Sequence, residues 1–218
     1  IVGGMRFEIE AILFDIDGTL VDSTGAVERS WRAWARDRGF DADSIIAVCH
    51  GRRSEDTIAD LVPQADQAAA VADLAARELA DLGDIVALPG AAALLEGLPA
   101  GRWAAVTSGS QSLMRARLAA AGLPVPKVLI SAADVRAGKP DPEGYLRAAA
   151  ALGVDPTRCL VIEDAPAGLE AGRAAGGAVL AVATSHPADG LGPADAVILD
   201  LTACQVHQRG DRLVVEIA

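Results

Sequence analysis

Two aspartates separated by one residue close the apolar run in "AILFDIDGTLVD", residues 11 to 22. Successive side chains of a strand point to opposite faces, so Asp15 and Asp17 fall on the same side, where two like charges need a cation. Three further apolar runs end in reactive groups: Thr107 and Ser108 in "RWAAVTSGS", Lys139 in the loop "RAGKPDPE", and Glu163 and Asp164 in "CLVIEDAP". Carboxylates from two separate strands offer hard oxygen ligands without any His/Cys cluster, which favours Mg²⁺ retaining several waters over Zn²⁺. A metal would answer the repulsion between the aspartates.

These groups must be brought to one edge by the elements that carry them. Strand-like runs "AILFDI", "RWAAVTS", "KVLIS", "CLVIED" and "AVLAVAT" alternate with Ala/Leu-rich amphipathic segments, and helices are expected over 111–121, 143–152 and 168–175. The alternation implies a parallel α/β sheet, whose ligands bind beyond the carboxyl ends of the strands. "AVILDL" and "RLVVEIA", separated by the turn "RGD", suggest an added strand or a hairpin at one edge. The stretch from Ser23 to Leu88 differs: it shows no convincing strand but several helical patterns, the first ending at Gly39 as a helix C-terminus would. It reads as an inserted helical cap. Pro89 and Gly90 fit either a hinge or a helix start.

Composition narrows the partners. The chain has 218 residues, with 19 Lys and Arg against 30 Asp and Glu for a net charge of −11, which argues against nucleic acid or an anionic membrane surface. Cys49, Cys159 and Cys204 are widely spaced without a CxxC, which suits a reducing compartment better than a disulfide framework. No run approaches the ~18 apolar residues of a membrane span. A cytoplasmic location is expected.

Together these motifs resemble the haloacid dehalogenase-like hydrolases, specifically their phosphatase branch with a small helical cap. "FDIDGTLVDS", "AVTSGS", "GKPDPEGYL" and "VIEDAPAGLEAG" occur in the family's order, and the similarity covers nearly the whole chain. With "HGRRSEDTIADLVP" added, the chain is more narrowly similar to the glycerol-phosphate and 2-deoxyglucose-phosphate phosphatases. The resemblance implies a Rossmann-like core over residues 1–22 and 88–218, with a cap domain over 23–87.

It also implies roles. Asp15 would be the nucleophile that forms an aspartyl phosphate, and Asp17 the acid and base that protonates the leaving oxygen and then activates water. Asp15, the backbone carbonyl of Asp17, and Asp164 would hold Mg²⁺, with Glu163 behind them rather than on the ion. Lys139 would neutralise Asp15 and the phosphoryl group, while Thr107 and backbone N–H groups around Gly18, Ser108 and Gly109 would bind phosphoryl oxygens. From the cap, Arg53 and His50 are expected to face the substrate, Arg52 to lie at the surface, and Trp31 and Trp34 to serve packing.

Singly, such residues are ordinary: acids cap helices and lysines sit in loops. Four motifs in order make the functional reading the stronger one. The expected substrate is a small phosphorylated sugar or polyol, handled by a monomer or weak homodimer. The alternatives are a phosphomutase using the same aspartates, or a non-catalytic binding protein on this fold.

Overall fold

The structure is a computed structural model and describes residues 4–218. In chain order its elements are β1 (Met5–Ile9), β2 (Ala11–Phe14), β3 (Val21–Asp22), α1 (Thr24–Arg38), α2 (Ala42–Cys49), α3 (Ser54–Ala59), α4 (Gln64–Ala80) and β4 (Val86–Ala87). They continue as α5 (Ala91–Glu96), β5 (Trp103–Val106), α6 (Gln111–Ala120), β6 (Leu129–Ile130), α7 (Glu143–Leu152), β7 (Cys159–Glu163), α8 (Pro166–Ala174), β8 (Ala178–Val182), β9 (Ala196–Ile198), β10 (Cys204–Arg209) and β11 (Arg212–Ile217).

Six strands form one parallel sheet in the order β6-β5-β2-β7-β8-β9. The strand order reverses around β2, so the crevice at its carboxyl end is where such a sheet binds ligands. Both sheet faces are covered: Ile12 and Phe14 enter one apolar cluster while Ala11 and Leu13 enter the other. Burial on both faces is why these strands read as continuous apolar runs rather than alternating ones.

The C-terminal segments divide between two sheets. One gives the added strand, and the hairpin forms not at an edge of the parallel sheet but in a separate three-stranded one, from β11 and a strand, β10, unread in the sequence. "AVI" adds β9 to the parallel sheet, whereas β10 and β11 form a hairpin that pairs antiparallel with β1. Strand β1, unread in the sequence, is thus fixed by a partner at the far end of the chain.

The four helices α1 to α4 build their own small core around Trp31, Trp34, Ile45, Ile58 and Leu74. Helix α1 ends at Gly39, whose φ of 75° allows the left-handed C-cap. Helix α2, also unread in the sequence, is capped by the Asp41 side chain, which accepts from the Asp43 N–H. The connections to the sheet are pinned by two short antiparallel strands, with Val21 opposite Ala87 and Asp22 opposite Val86. Gly90 proves to be the N-cap of α5, where a Cβ would meet the Leu201 carbonyl carbon at 2.3 Å. No helix among the described residues is long and apolar enough to cross a membrane.

Candidate active site

Asp15 directly follows β2, and its N–H donates to the Ile162 carbonyl at 3.0 Å, extending the ladder between β2 and β7 by one residue. Its buried carboxylate accepts from Lys139 Nζ at 2.5 Å. The same ammonium donates to Glu163 Oε1 at 2.5 Å and to the Val106 carbonyl at 3.2 Å, so all three of its donors are used. Burial works against the Lys139 charge, but Asp15 and Glu163 outweigh it and hold its pKa above the ordinary lysine range.

Glu163 is 1% exposed and its oxygens are fully occupied. Oε1 accepts from Lys139 and from the Tyr145 hydroxyl at 2.7 Å, and Oε2 from the N–H groups of Asp164 and Ala165 at 3.1 and 3.3 Å. A Cβ on Gly168 would sit 1.8 Å from Glu163 Oε1, so a glycine there lets α8 approach this locked carboxylate. Asp164 Oδ1 accepts from Thr19 at 3.0 Å, and Ser185 donates to Oδ2. Gly18, at φ +85°, brings the loop after Asp17 so close that a Cβ would meet that Oδ2 at 2.2 Å.

Oxygens of Asp15, Glu163 and Asp164 lie within 4.8 Å of one another, faced by the single ammonium of Lys139. Burial, together with the Glu163 charge, pushes Asp164 up to about 7 against its hydrogen bonds to Ser185 and Thr19 and the charge of Lys139. Burial also pushes Asp15 well up, with Lys139 opposing and Glu163 and Asp164 adding to the rise. Three acids against one ammonium leave the site short of positive charge. An oxygen-only set lacking His and Cys fits a hard divalent cation such as Mg²⁺, with Asp15 and Asp164 as the carboxylates left to bind it.

Asp17 has a different counter-charge. Its Oδ1 accepts from the Ser23 hydroxyl at 2.8 Å and its Oδ2 from Arg117 Nη1 at 2.7 Å. The sequence reading gave the two aspartates a shared metal, with Lys139 beside Asp15; the structure places Lys139 on Asp15 and adds a second protein cation, Arg117, on Asp17. Arg117 belongs to α6, is 2% exposed, and extends Nη2 to Glu78 Oε1 of α4 at 3.0 Å. Burial opposes the Arg117 charge, yet Asp17 and Glu78 outweigh it and raise its pKa. Neither Arg117 nor Glu78 was singled out from sequence, where each is one charged residue on an amphipathic helix.

Thr107 directly follows β5, with its N–H on the Ile130 carbonyl at 2.9 Å. Its hydroxyl oxygen accepts from the Gly109 N–H at 3.0 Å, and the hydroxyl proton is left for a ligand. Helix α6 is capped by Ser110 instead, which frees Thr107 from that duty. Ser108 turns its hydroxyl to the Gly51 carbonyl at 2.8 Å, joining the sheet edge to the helical insertion.

A cavity of about 140 Å³ lies between the helices and the sheet edge. Asp15, Asp17, Thr107, Ser108, Gly109, Lys139 and Asp164 all contribute to its wall, so the groups singled out at the strand ends do converge. On the helical side it is lined by His50, Arg52, Glu78 and Trp31, among others. Burial lowers the His50 pKa. Arg52, expected at the surface, reaches the cavity while paired with Asp60 at 3.0 Å. Arg53, expected to face the substrate, lies outside this lining. Its guanidinium forms two bonds to Asp56, at 2.7 and 2.8 Å, and packs over Gly138 beside a narrower cleft. Trp31 packs edge-on against Trp34, at 5.4 Å and 71°, and also forms part of the cavity wall.

Known proteins place this geometry. A family profile of haloacid dehalogenase-like hydrolases matches residues 9–176. Hexitol phosphatase A of Escherichia coli is 45% identical over 188 residues, covering 83% of this chain and 85% of that protein. Glycerol-1-phosphate phosphohydrolase 2 of Saccharomyces cerevisiae is 37% identical over 197 residues, covering 85% and 79%. Among solved structures, a hydrolase from Pseudomonas syringae superposes with a TM-score of 0.80 at 28% identity, covering 88% of this chain and 94% of that one. The chain is therefore a member of the haloacid dehalogenase-like hydrolases.

Proposed function

We propose that this protein is a Mg²⁺-dependent phosphatase that hydrolyses small phosphorylated sugars or polyols through a phosphoryl-aspartate at Asp15. The observation that carries the reading is the buried Asp15 carboxylate at the end of β2, held by Lys139 at 2.5 Å and set among the oxygens of Glu163 and Asp164. The named activities of the related phosphatases support it.

Asp15 attacks phosphorus, and the ester oxygen leaves with a proton from Asp17, which splits one difficult displacement into two easier ones. Asp17 then takes a proton from the water that attacks the phosphoryl-aspartate, returning phosphate and a free Asp15. Lys139, fixed by Glu163 and Tyr145, offsets the charge of Asp15 as the phosphoryl group arrives. The free hydroxyl proton of Thr107 and the Ser108 N–H are left for the phosphoryl oxygens, whereas the Gly109 N–H, expected there from the sequence, is spent on the Thr107 hydroxyl oxygen and that of Gly18 on the Val21 carbonyl. Asp15, Asp164 and the Asp17 carbonyl would hold the ion, whose chemistry is to draw charge from those oxygens.

Residues 23–87 act in this reading as a cap over a core of 1–22 and 88–218, with the β3 and β4 pair as its neck. Ser108 on Gly51 and Arg117 on Glu78 are contacts by which the cap sits on the core and excludes water. His50 and Arg52 face the leaving group from the cap. A screen of phosphomonoesters for phosphate release, with Mg²⁺ and with EDTA, tests the reading. Metal-dependent release from a sugar or polyol phosphate is the expected result; no release from any of them overturns it.

A further inference from the structure

The cavity as a whole is short of free cations. Its Lys and Arg side chains are Lys139, Arg117 and Arg52, and each is already paired: with Asp15 and Glu163, with Asp17 and Glu78, and with Asp60. Glu78 is different. Its Oε1 takes the bond from Arg117, but its Oε2 has no hydrogen-bond partner among the described residues, although Glu78 is buried and lines the cavity. That oxygen is open to the cavity rather than enclosed, and an acceptor held on a cavity wall by a buried arginine is placed for a donor from a ligand. Arg117 fixes its direction: the guanidinium is rigid, 2% exposed, and anchored at its other arm on Asp17.

We propose that Glu78, oriented by Arg117, is the specificity residue for the leaving group. It accepts hydrogen bonds from hydroxyls of a neutral polyol and turns away leaving groups that carry a second anion. The proposal rests on the phosphatase reading above and deepens it. A hydroxyl offered to a buried carboxylate makes a charge-assisted bond, whereas a carboxylate or second phosphate there meets Glu78 and Asp17 with no unpaired cation to receive it. The same arrangement disfavours a phosphomutase cycle, which must hold a bisphosphate.

The test compares kcat/KM of the wild type and Glu78→Gln on two neutral-polyol esters, sorbitol 6-phosphate and glycerol 1-phosphate, and on phosphoglycolate, whose leaving group carries a carboxylate. The wild type prefers the polyol esters. In E78Q the polyol-to-phosphoglycolate ratio falls by about ten- to a hundredfold, the range of one charge-assisted hydrogen bond. Part of that fall is a gain on phosphoglycolate, because Arg117 loses one of its two carboxylates. The double variant Glu78→Leu with Arg117→Met removes the pair together but leaves Asp17 with its Ser23 bond alone, so turnover falls on every ester and only the ratio between esters is read. It loses the polyol preference without the gain on phosphoglycolate, and it decides the matter if E78Q fails to fold by thermal melting. An unchanged ratio in either folded variant, or a wild type that prefers phosphoglycolate, overturns the assignment of Glu78 while leaving the phosphatase reading standing. Absence of phosphate release from every ester by the wild type overturns the phosphatase reading and this inference with it.

Discussion

Replacing Lys139 with Met keeps the length of the side chain and removes the one cation, among the described residues, in contact with Asp15 and Glu163. Asp15 and Glu163 each lose a 2.5 Å bond, in a place where the lysine side chain is 8% exposed and Glu163 1%. Breaking a buried ion pair from one side costs about 3–5 kcal/mol, because the abandoned charge stays buried. At ~2–4 °C per kcal/mol for a chain of this size, melting in EDTA should fall by about 6–20 °C. Mg²⁺ should raise the melting temperature of Lys139→Met by more than that of the wild type, since the variant site is one positive charge poorer. Turnover should fall as well, by about 10²–10³ in kcat/KM, the scale for losing a group aimed at developing charge. Thermal melts with EDTA and with Mg²⁺, beside phosphate release, measure all three effects. Melting in EDTA within about 2 °C of wild type, together with kcat/KM within about threefold, would refute the argument that Lys139 neutralises this site.

Two further outcomes follow from the same geometry. Asp17→Asn should lower kcat/KM by about two to four decades on sugar and polyol phosphates. The loss on an aryl phosphate, whose leaving group departs without a proton, should be smaller, and equal losses on both would remove Asp17 from the acid role. The second outcome concerns pH. Asp164 is raised from 3.8 to about 7 in the folded protein, and Asp15 is raised too, so their contribution to stability is full below the unfolded value and is lost as pH rises through the folded one. Without metal, Asp164 costs stability as pH climbs from about 4 to about 7, Asp15 adds a cost of the same sign, and a divalent cation counters the same charges. The melting shift on adding Mg²⁺ should therefore be larger at pH 8 than at pH 5; an equal or smaller shift at pH 8 speaks against Asp15 and Asp164 as the metal carboxylates.

The sheet and its reactive edge were legible because they rest on local signals. Apolar runs such as "AILF" and "CLVIE" are buried on both faces, and the groups that follow them, Asp15, Thr107 and Asp164, sit one step beyond each strand. Lys139 was legible through its loop motif. What stayed hidden was long-range. Strand β1 has five residues and a partner more than two hundred positions away, so "MRFEI" alone carries little strand signal. Arg117 and Glu78 occupy charged positions on amphipathic helices, where an exposed face is the ordinary reading. Only the seating of α4 against α6 turns them inward onto Asp17. The faint cue for Arg117 lay in spacing: Leu113, Met114 and Leu118 are buried on α6, and Arg117 falls among them at helical spacing from Leu113 and Met114. Arg53 shows the converse. Its neighbour Asp56, three residues on, captures the guanidinium by a local pairing, the ordinary alternative to a substrate-facing arginine.

The central claim is that Asp15 is the group that takes the phosphoryl from substrate. Phosphate release from a sugar or polyol phosphate by Asp15→Asn, measured with saturating Mg²⁺ beside the wild type and a thermal melt of each, tests it most directly. An amide cannot replace the attacking carboxylate, so activity should fall by at least about a thousandfold while the fold survives, its melting kept or raised as one of the crowded acids is neutralised. Turnover near that of the wild type by the folded variant would contradict the account.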